Sequence, residues 1–264
     1  MKPLSKLIVI LLALTVILIS FFGRDRTPQE TPKQDTLDTI SYTFDTLSIG
    51  DREDTTTKIT ASIQRVILSD SSQALLKIST IYNSLCFNLL LGDTLENEST
   101  FEMAFSQLYA EAVSEMLPEE NWEFIQTGMV VFNRSNLFTI LLTSYSFTGG
   151  AHGNQRKIYL NFNPKTGDLL TAAQLINMDS IAVLAKRAEE IFRTQIGVSP
   201  TSSLEEAGYW FQNNTFSLSQ NIGITDKGLV IHYGSYEIAP YAMGPTDIII
   251  PLEECKNWLA ISLK

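Results

Sequence analysis

A glycine-rich stretch, SFTGGAHGNQ at residues 146–155, surrounds His152, one of two histidines in the chain. An imidazole in such a loop can act as a general acid or base if a hydroxyl and a carboxylate lie within hydrogen-bond reach. The candidate partners elsewhere in the chain are Ser146, Thr148, Ser235, Glu237 and Asp247. None of the hydroxyl residues lies in the strand–turn–helix motif that exposes a catalytic serine, so the sequence predicts no catalytic triad.

The same loop does not match a phosphate-binding loop, because strands are predicted on both sides of it and no helix follows. Gly149, Gly150 and Gly153 are instead expected to adopt positive φ, which lets a short connection turn between two strands. His152 is then expected to hydrogen-bond to nearby backbone. A role of His152 in binding or in catalysis stays open.

A second distinctive stretch, YEIAPYAMGPTDIIIPLEE at residues 236–254, combines tyrosines with prolines. The pattern predicts a strand, a tight bend and a second strand, since prolines restrict a segment to sheet edges or bends. Aromatic residues at such an edge could form a recognition surface or close a core. The candidate binding residues of the two stretches are Gly149, Gly150, His152, Tyr236, Glu237 and Tyr241.

No metal or cofactor site is predicted, because the two histidines have no acidic pair at a recognisable spacing. His232 lies in a strand pattern, GLVIHY, and is expected to be half-buried. Cys86 and Cys255 are the only cysteines. In an exported protein they could form a disulfide, although the apolar run around Cys86 is also typical of a buried free thiol.

The elements needed to position these residues follow from the hydrophobic period, which changes several times along the chain. Strands are predicted at 39–49, 57–68, 122–132, 137–147 and 156–162, with further short strands after residue 216. Helices are predicted at 72–91, at 99–117 with Ser99 as cap and Pro118 as stop, and within 171–197, with a helical closing segment. The fold class is α+β, a mostly antiparallel sheet with helices packed on it.

The amino end predicts a membrane attachment. Residues 7–23 are almost entirely apolar and follow two lysines, which favours a single-pass anchor with residues 1–6 in the cytoplasm. A cleaved signal peptide is the alternative, and the protein would then be secreted. Residues 24–38 are polar and contain two prolines, so a disordered linker is expected.

The charge excludes one class of partner. Residues 40–264 contain fourteen Lys and Arg against twenty-five Asp and Glu, a formal net charge of −11. Such an acidic domain is unsuited to nucleic acid, whose binding requires basic side chains. A cationic partner would be compatible with it.

The two distinctive stretches also carry a resemblance. SFTGGAHGNQ followed by NFNPKTGDLLTAAQLI resembles the end of the PdaC/SigV-like region, domain of unknown function 4163. GITDKGLVIHYGSYEIAPYAMGPTDIIIPLEE is similar to domain of unknown function 3298. The resemblance places a PdaC/SigV-like half at 39–160 and a second half at 161–264.

This combination is similar to the extracellular part of RsiV-type anti-sigma factors, which binds lysozyme. The resemblance therefore implies a non-catalytic, membrane-tethered envelope protein, periplasmic or extracellular, that binds a lysozyme-like cationic protein or a cell-wall glycan such as peptidoglycan. The alternative is a small hydrolase acting on cell-wall material through His152. Sigma-factor control and deacetylation are not expected, since six residues precede the apolar run and no deacetylase domain follows.

Overall fold

The computed structural model of the protein describes residues 39–50, 58–91, 98–115, 121–134 and 136–263. The predicted anchor and linker lie outside these residues. No helix in the described part is long and apolar enough to span a bilayer.

The larger sheet is built from the amino-terminal half. Its strands, in their order across the sheet, are β1 (Tyr42–Gly50), β2 (Lys58–Leu68), β3 (Asn121–Arg134), β4 (Leu137–Phe147), β5 (Asn154–Phe162) and β6 (Leu169–Leu170). The β2–β3 pair is parallel and the other pairs are antiparallel. This confirms the predicted α+β class with a mainly antiparallel sheet.

Two helices connect β2 to β3 and cover one face of this sheet. They are α1 (Gln73–Leu91) and α2 (Glu98–Glu115). The apolar side of α1 packs against Phe138 and Ile140 of β4, while phenylalanines of α2 pack against β1, β2 and Phe124. Parallel neighbouring strands need such a crossover connection, because a short turn reverses the chain direction and therefore joins only antiparallel strands.

The carboxyl-terminal half forms a second sheet of β7 (Ile222–Thr225), β8 (Gly228–Tyr233) and β9 (Thr246–Pro251), in that order. A short helix α3 (Ala172–Leu175), the longer α4 (Ile181–Gln195) and a closing turn α5 (Leu252–Cys255) surround it. Leu184, Ala188 and Phe192 of α4 are buried in the same core as β7, β8 and β9. The helix predicted within residues 171–197 is thereby confirmed as α4.

Side-chain amides join the two sheets on the face of β4 and β5 opposite to α1. The buried Asn161 on β5 donates to the carbonyl oxygen of Ile222 at 2.7 Å and accepts from Thr139 at 3.1 Å. Asn221 accepts from the N–H of Tyr159 at 3.0 Å and donates to the carbonyl of Lys157 at 2.7 Å. We call these contacts the asparagine seam, because each amide takes the place of a peptide group of a missing strand.

The seam also depends on close approach of backbone to a ring. A Cβ on Gly223 of β7 would overlap the ring of Tyr159 on β5. Glycine at this position therefore lets β7 lie directly against β5.

A charged cluster lies beside the seam. Nδ1 of the buried His232 is 2.5 Å from Asp247 on the adjacent strand β9, and Nζ of Lys157 on β5 is 3.0 Å from the same carboxylate. Burial alone would raise the pKa of Asp247, but the hydrogen bonds from His232 and Lys157 outweigh it and lower that pKa. The carboxylate thus links both sheets, and His232 is more buried than the sequence predicted.

The predicted start of α2 is wrong, and the state of the two cysteines is now defined. Ser99 lies inside α2, which begins at Glu98, so Ser99 is not its cap; the predicted stop at Pro118 falls outside the described residues. Of the two alternatives for the cysteines, the structure shows the buried free thiol: Cys86 and Cys255 are unpaired and lie in separate cores. Burial raises the pKa of Cys86 to about 11, which suits an inert thiol.

Replacement of Asn161 is expected to test the seam. Asn161→Ala leaves the buried hydroxyl of Thr139 and the carbonyl of Ile222 without their partner, so the free energy of unfolding should fall by about 3 kcal/mol. The measurement is denaturant unfolding of the variant against wild type. Asn154→Ala, an exposed position on the same strand, is the matched control and should change stability by less than about 0.5 kcal/mol; equal effects of the two variants would refute the seam.

The carboxylate of Asp247 predicts a pH dependence. Because its pKa is lowered in the folded state, its stabilisation is present above the unfolded value of about 3.9 and is lost as the pH falls through the folded value. Asp247→Asn should therefore be less stable than wild type at neutral pH, by about 2 kcal/mol, with a difference that shrinks below about pH 4. Urea unfolding at several pH values measures this, with the exposed Glu206→Gln as control; an undiminished difference in acid would contradict it.

Candidate functional site

The glycine-rich loop, residues 148–153, connects β4 to β5. Gly149 and Gly150 have φ of 88° and 89°, values that favour glycine, as the sequence predicted. Gly153 does not share this conformation. It is required for a different reason, since a Cβ there would overlap the ring of Tyr145.

His152 is exposed and contacts the second distinctive stretch. Its ring stacks on Tyr241 with centroids 3.7 Å apart and an interplanar angle of 11°. Nδ1 of His152 lies 3.0 Å from the carbonyl oxygen of Gly153, and the hydroxyl of Tyr241 donates to the same oxygen at 3.1 Å. The local backbone contact expected for His152 is present, and the two stretches meet at this point.

The stretch around Tyr236 is not the predicted strand. β8 ends at Tyr233, the N–H of Glu237 donates to the carbonyl of Gly234 to close a turn, and β9 begins only at Thr246. Tyr236 lies inside this turn with φ of 65°, which the hydrophobic pattern of YEI could not indicate. The second predicted strand is present as β9.

Tyr236 is a strained and exposed residue. A left-handed backbone costs a residue with a Cβ about 1–2 kcal/mol. Its side chain is 59% exposed, so burial does not offset this cost. The ring lies 5.6 Å from that of Tyr241, so Tyr241 contacts the rings of both His152 and Tyr236. We call these three residues the ring cluster.

Glu237 and Trp210 border the ring cluster. The carboxylate of Glu237 accepts from the N–H of Gly234 at 2.7 Å. The indole N–H of Trp210 donates to the carbonyl of Glu237 at 3.1 Å, and its backbone N–H donates to that of Ile238 at 3.0 Å. Trp210 is 49% exposed and was missed in the sequence, because no periodic pattern surrounds it.

The structure separates the residues considered for proton transfer. Asp247 binds His232 and Lys157, and Glu237 binds the backbone of Gly234, whereas the hydrogen-bond partner of His152 is a carbonyl oxygen. The side chain that packs on His152 is therefore an aromatic ring, that of Tyr241, which in turn contacts the ring of Tyr236. Such a surface suits binding by contact with ring faces.

Two segments of the chain match known family models. Residues 38–155 match the family model described as deacetylase PdaC, and residues 168–253 match the model for a protein of unknown function, DUF3298. The comparison with curated proteins gave no match.

Solved structures show the same fold. A DUF3298 family member from Bacteroides fragilis is 21% identical with a TM-score of 0.63, covering 85% of this chain and 96% of its own. A DUF3298 family protein from Pseudomonas aeruginosa is 16% identical with a TM-score of 0.57, covering 90% and 93%. The resemblance to these two domains seen in the sequence is confirmed, since a segment that matches PdaC is followed by a segment that matches DUF3298.

Proposed function

We propose that the protein is a membrane-tethered binding module of the cell envelope, and that the ring cluster is its contact surface. The observation that carries this proposal is Tyr236, whose backbone strain is uncompensated by burial. Strain of this kind persists where the surrounding structure holds it, and it clusters at active sites and ligand-binding sites. A large exposed aromatic residue held in a fixed position is what binding surfaces use as an anchor.

The position of the cluster supports a preformed site. His152 and Tyr241 are held by the carbonyl of Gly153, and Tyr236 is held by the turn from Gly234 to Glu237. Because these groups are already ordered in the free protein, binding loses less conformational entropy than it would at a flexible surface.

The proposed ligands are a lysozyme-like cationic protein and the glycan of the cell wall. The resemblance to the extracellular part of RsiV-type anti-sigma factors supports the first, and exposed ring faces suit both. The apolar run at residues 7–23 supports attachment to the cell inner membrane, with the described residues periplasmic or extracellular.

Tyr236→Gly is expected to separate binding from stability. Glycine relieves the strain at φ of 65°, so the free energy of unfolding should stay unchanged or rise by up to about 1 kcal/mol. Loss of the ring should weaken binding about tenfold. Full-length protein in detergent is tested by pull-down with lysozyme and with insoluble peptidoglycan.

Met129→Ala is the matched control for this variant, because Met129 is similarly exposed on β3, outside the ring cluster. It should bind as wild type does. Wild-type protein that retains neither lysozyme nor peptidoglycan at low salt, or a Tyr236→Gly variant that binds normally, would refute the proposal.

The hydrolase alternative makes a different prediction for His152. Under the binding proposal, wild type and His152→Ala should release equally little soluble glycan from peptidoglycan, because the imidazole is bound to a carbonyl and a ring. Release of reducing ends measures this. Activity that His152→Ala abolishes without lowering the melting temperature would establish the hydrolase instead.

A further inference from the structure

We infer that Tyr236 and Glu237 form a recognition site for a cationic side chain, lysine or arginine, presented by a protein partner. The inference rests on the proposed binding function and assigns the chemistry of the group bound. Three features of the described residues carry it: an exposed aromatic ring, a hydrogen-bonded carboxylate on the next residue of the chain, and an acidic surrounding.

The aromatic face belongs to Tyr236. Tyr241 contacts the rings of both His152 and Tyr236, and the side chain of Tyr236 is 59% exposed, so much of its ring is accessible. The face of an aromatic ring carries negative potential and attracts ammonium and guanidinium groups within about 6 Å of its centre.

The carboxylate of Glu237 belongs to the next residue of the same turn and is oriented by a hydrogen bond. One of its oxygens accepts from the N–H of Gly234 at 2.7 Å, which fixes the direction of the group while the side chain stays exposed. Among the described residues it forms no ion pair, whereas Asp247 and Glu254 are paired with Lys157 and Arg187. A carboxylate beside a ring face adds a charge-assisted hydrogen bond to the attraction of the ring.

The surrounding chain is acidic over a long stretch. Residues 194–255 contain seven Asp and Glu against a single basic residue, Lys227, a formal net charge of −6. Two of these carboxylates, Glu205 and Glu206, are exposed in the segment that leads to Trp210. This field favours the approach of a basic surface and opposes an acidic one.

The polar groups near the cluster favour a cation over a neutral sugar. Recognition of sugar hydroxyls needs free donors and acceptors near the ring. The hydroxyl of Tyr241, however, donates to the backbone carbonyl of Gly153, and the indole N–H of Trp210 donates to the backbone carbonyl of Glu237. What Tyr236 and Glu237 offer to a ligand is a ring face with its hydroxyl and an anionic carboxylate. A basic side chain fits both.

The test is calorimetric titration of full-length protein in detergent with hexalysine, with hexaglutamate and with chitotetraose as separate probes. Hexalysine should bind, with an affinity that falls as salt is raised. Glu237→Gln and Tyr236→Leu should each weaken it about fivefold, while Tyr236→Phe keeps the ring and should stay within about twofold of wild type. Glu206→Gln, which removes one exposed charge outside the ring cluster, is the matched control and should weaken binding less than Glu237→Gln does.

The outcomes separate this inference from the proposed function. Equal weakening by Glu237→Gln and Glu206→Gln would mean that hexalysine binds only by net charge and would overturn the cation site. Binding of chitotetraose through Tyr236 without binding of hexalysine would overturn it as well, and would leave the binding module standing. Failure of all probes together with lysozyme and peptidoglycan would overturn both.

Discussion

The asparagine seam is the contact on which the rest of the molecule depends. His152 precedes β5 of the larger sheet, whereas Tyr236 and Tyr241 lie between β8 and β9 of the smaller one. These rings meet only if β5 and β7 keep a fixed relation, and the amides of Asn161 and Asn221 impose it through hydrogen bonds to backbone groups. An amide pairs with a peptide group only in a narrow range of positions, so the seam defines the register between the sheets as a neighbouring strand would.

The features that the sequence predicted correctly are those that depend on residues close together along the chain. The period of α1 and α4 and the alternation in β2 are local properties, as is the need for positive φ at Gly149 and Gly150. The seam was not predictable, because an asparagine in a strand looks the same whether it faces water or another sheet. Gly153 shows the same limit: its type was correctly singled out, but the reason, the ring of Tyr145, is a contact from the neighbouring strand.

Only part of the candidate site was predicted, because contacts between distant segments are not visible in the sequence. Glycines, histidine and tyrosines in two unusual stretches marked it, and the structure brings His152, Tyr236 and Tyr241 together. The turn at Tyr236 was missed because a tyrosine followed by glutamate and isoleucine has strand propensity, which the hydrogen bonds between Gly234 and Glu237 override. Trp210 was missed because its exposure depends on where residues 237–238 lie.

The ring cluster crosses the boundary between the two family models. His152 lies in the segment matched by PdaC, while Tyr236 and Tyr241 lie in the segment matched by DUF3298. Asn161, which connects the sheets, lies between the two matched segments. A PdaC segment without its neighbour would therefore lack two of the three rings, and a DUF3298 segment without β5 would leave the carbonyl of Ile222 without its partner. The physical unit that could bind a ligand is the pair of domains, because neither segment contains both the surface and the contacts that hold it in place.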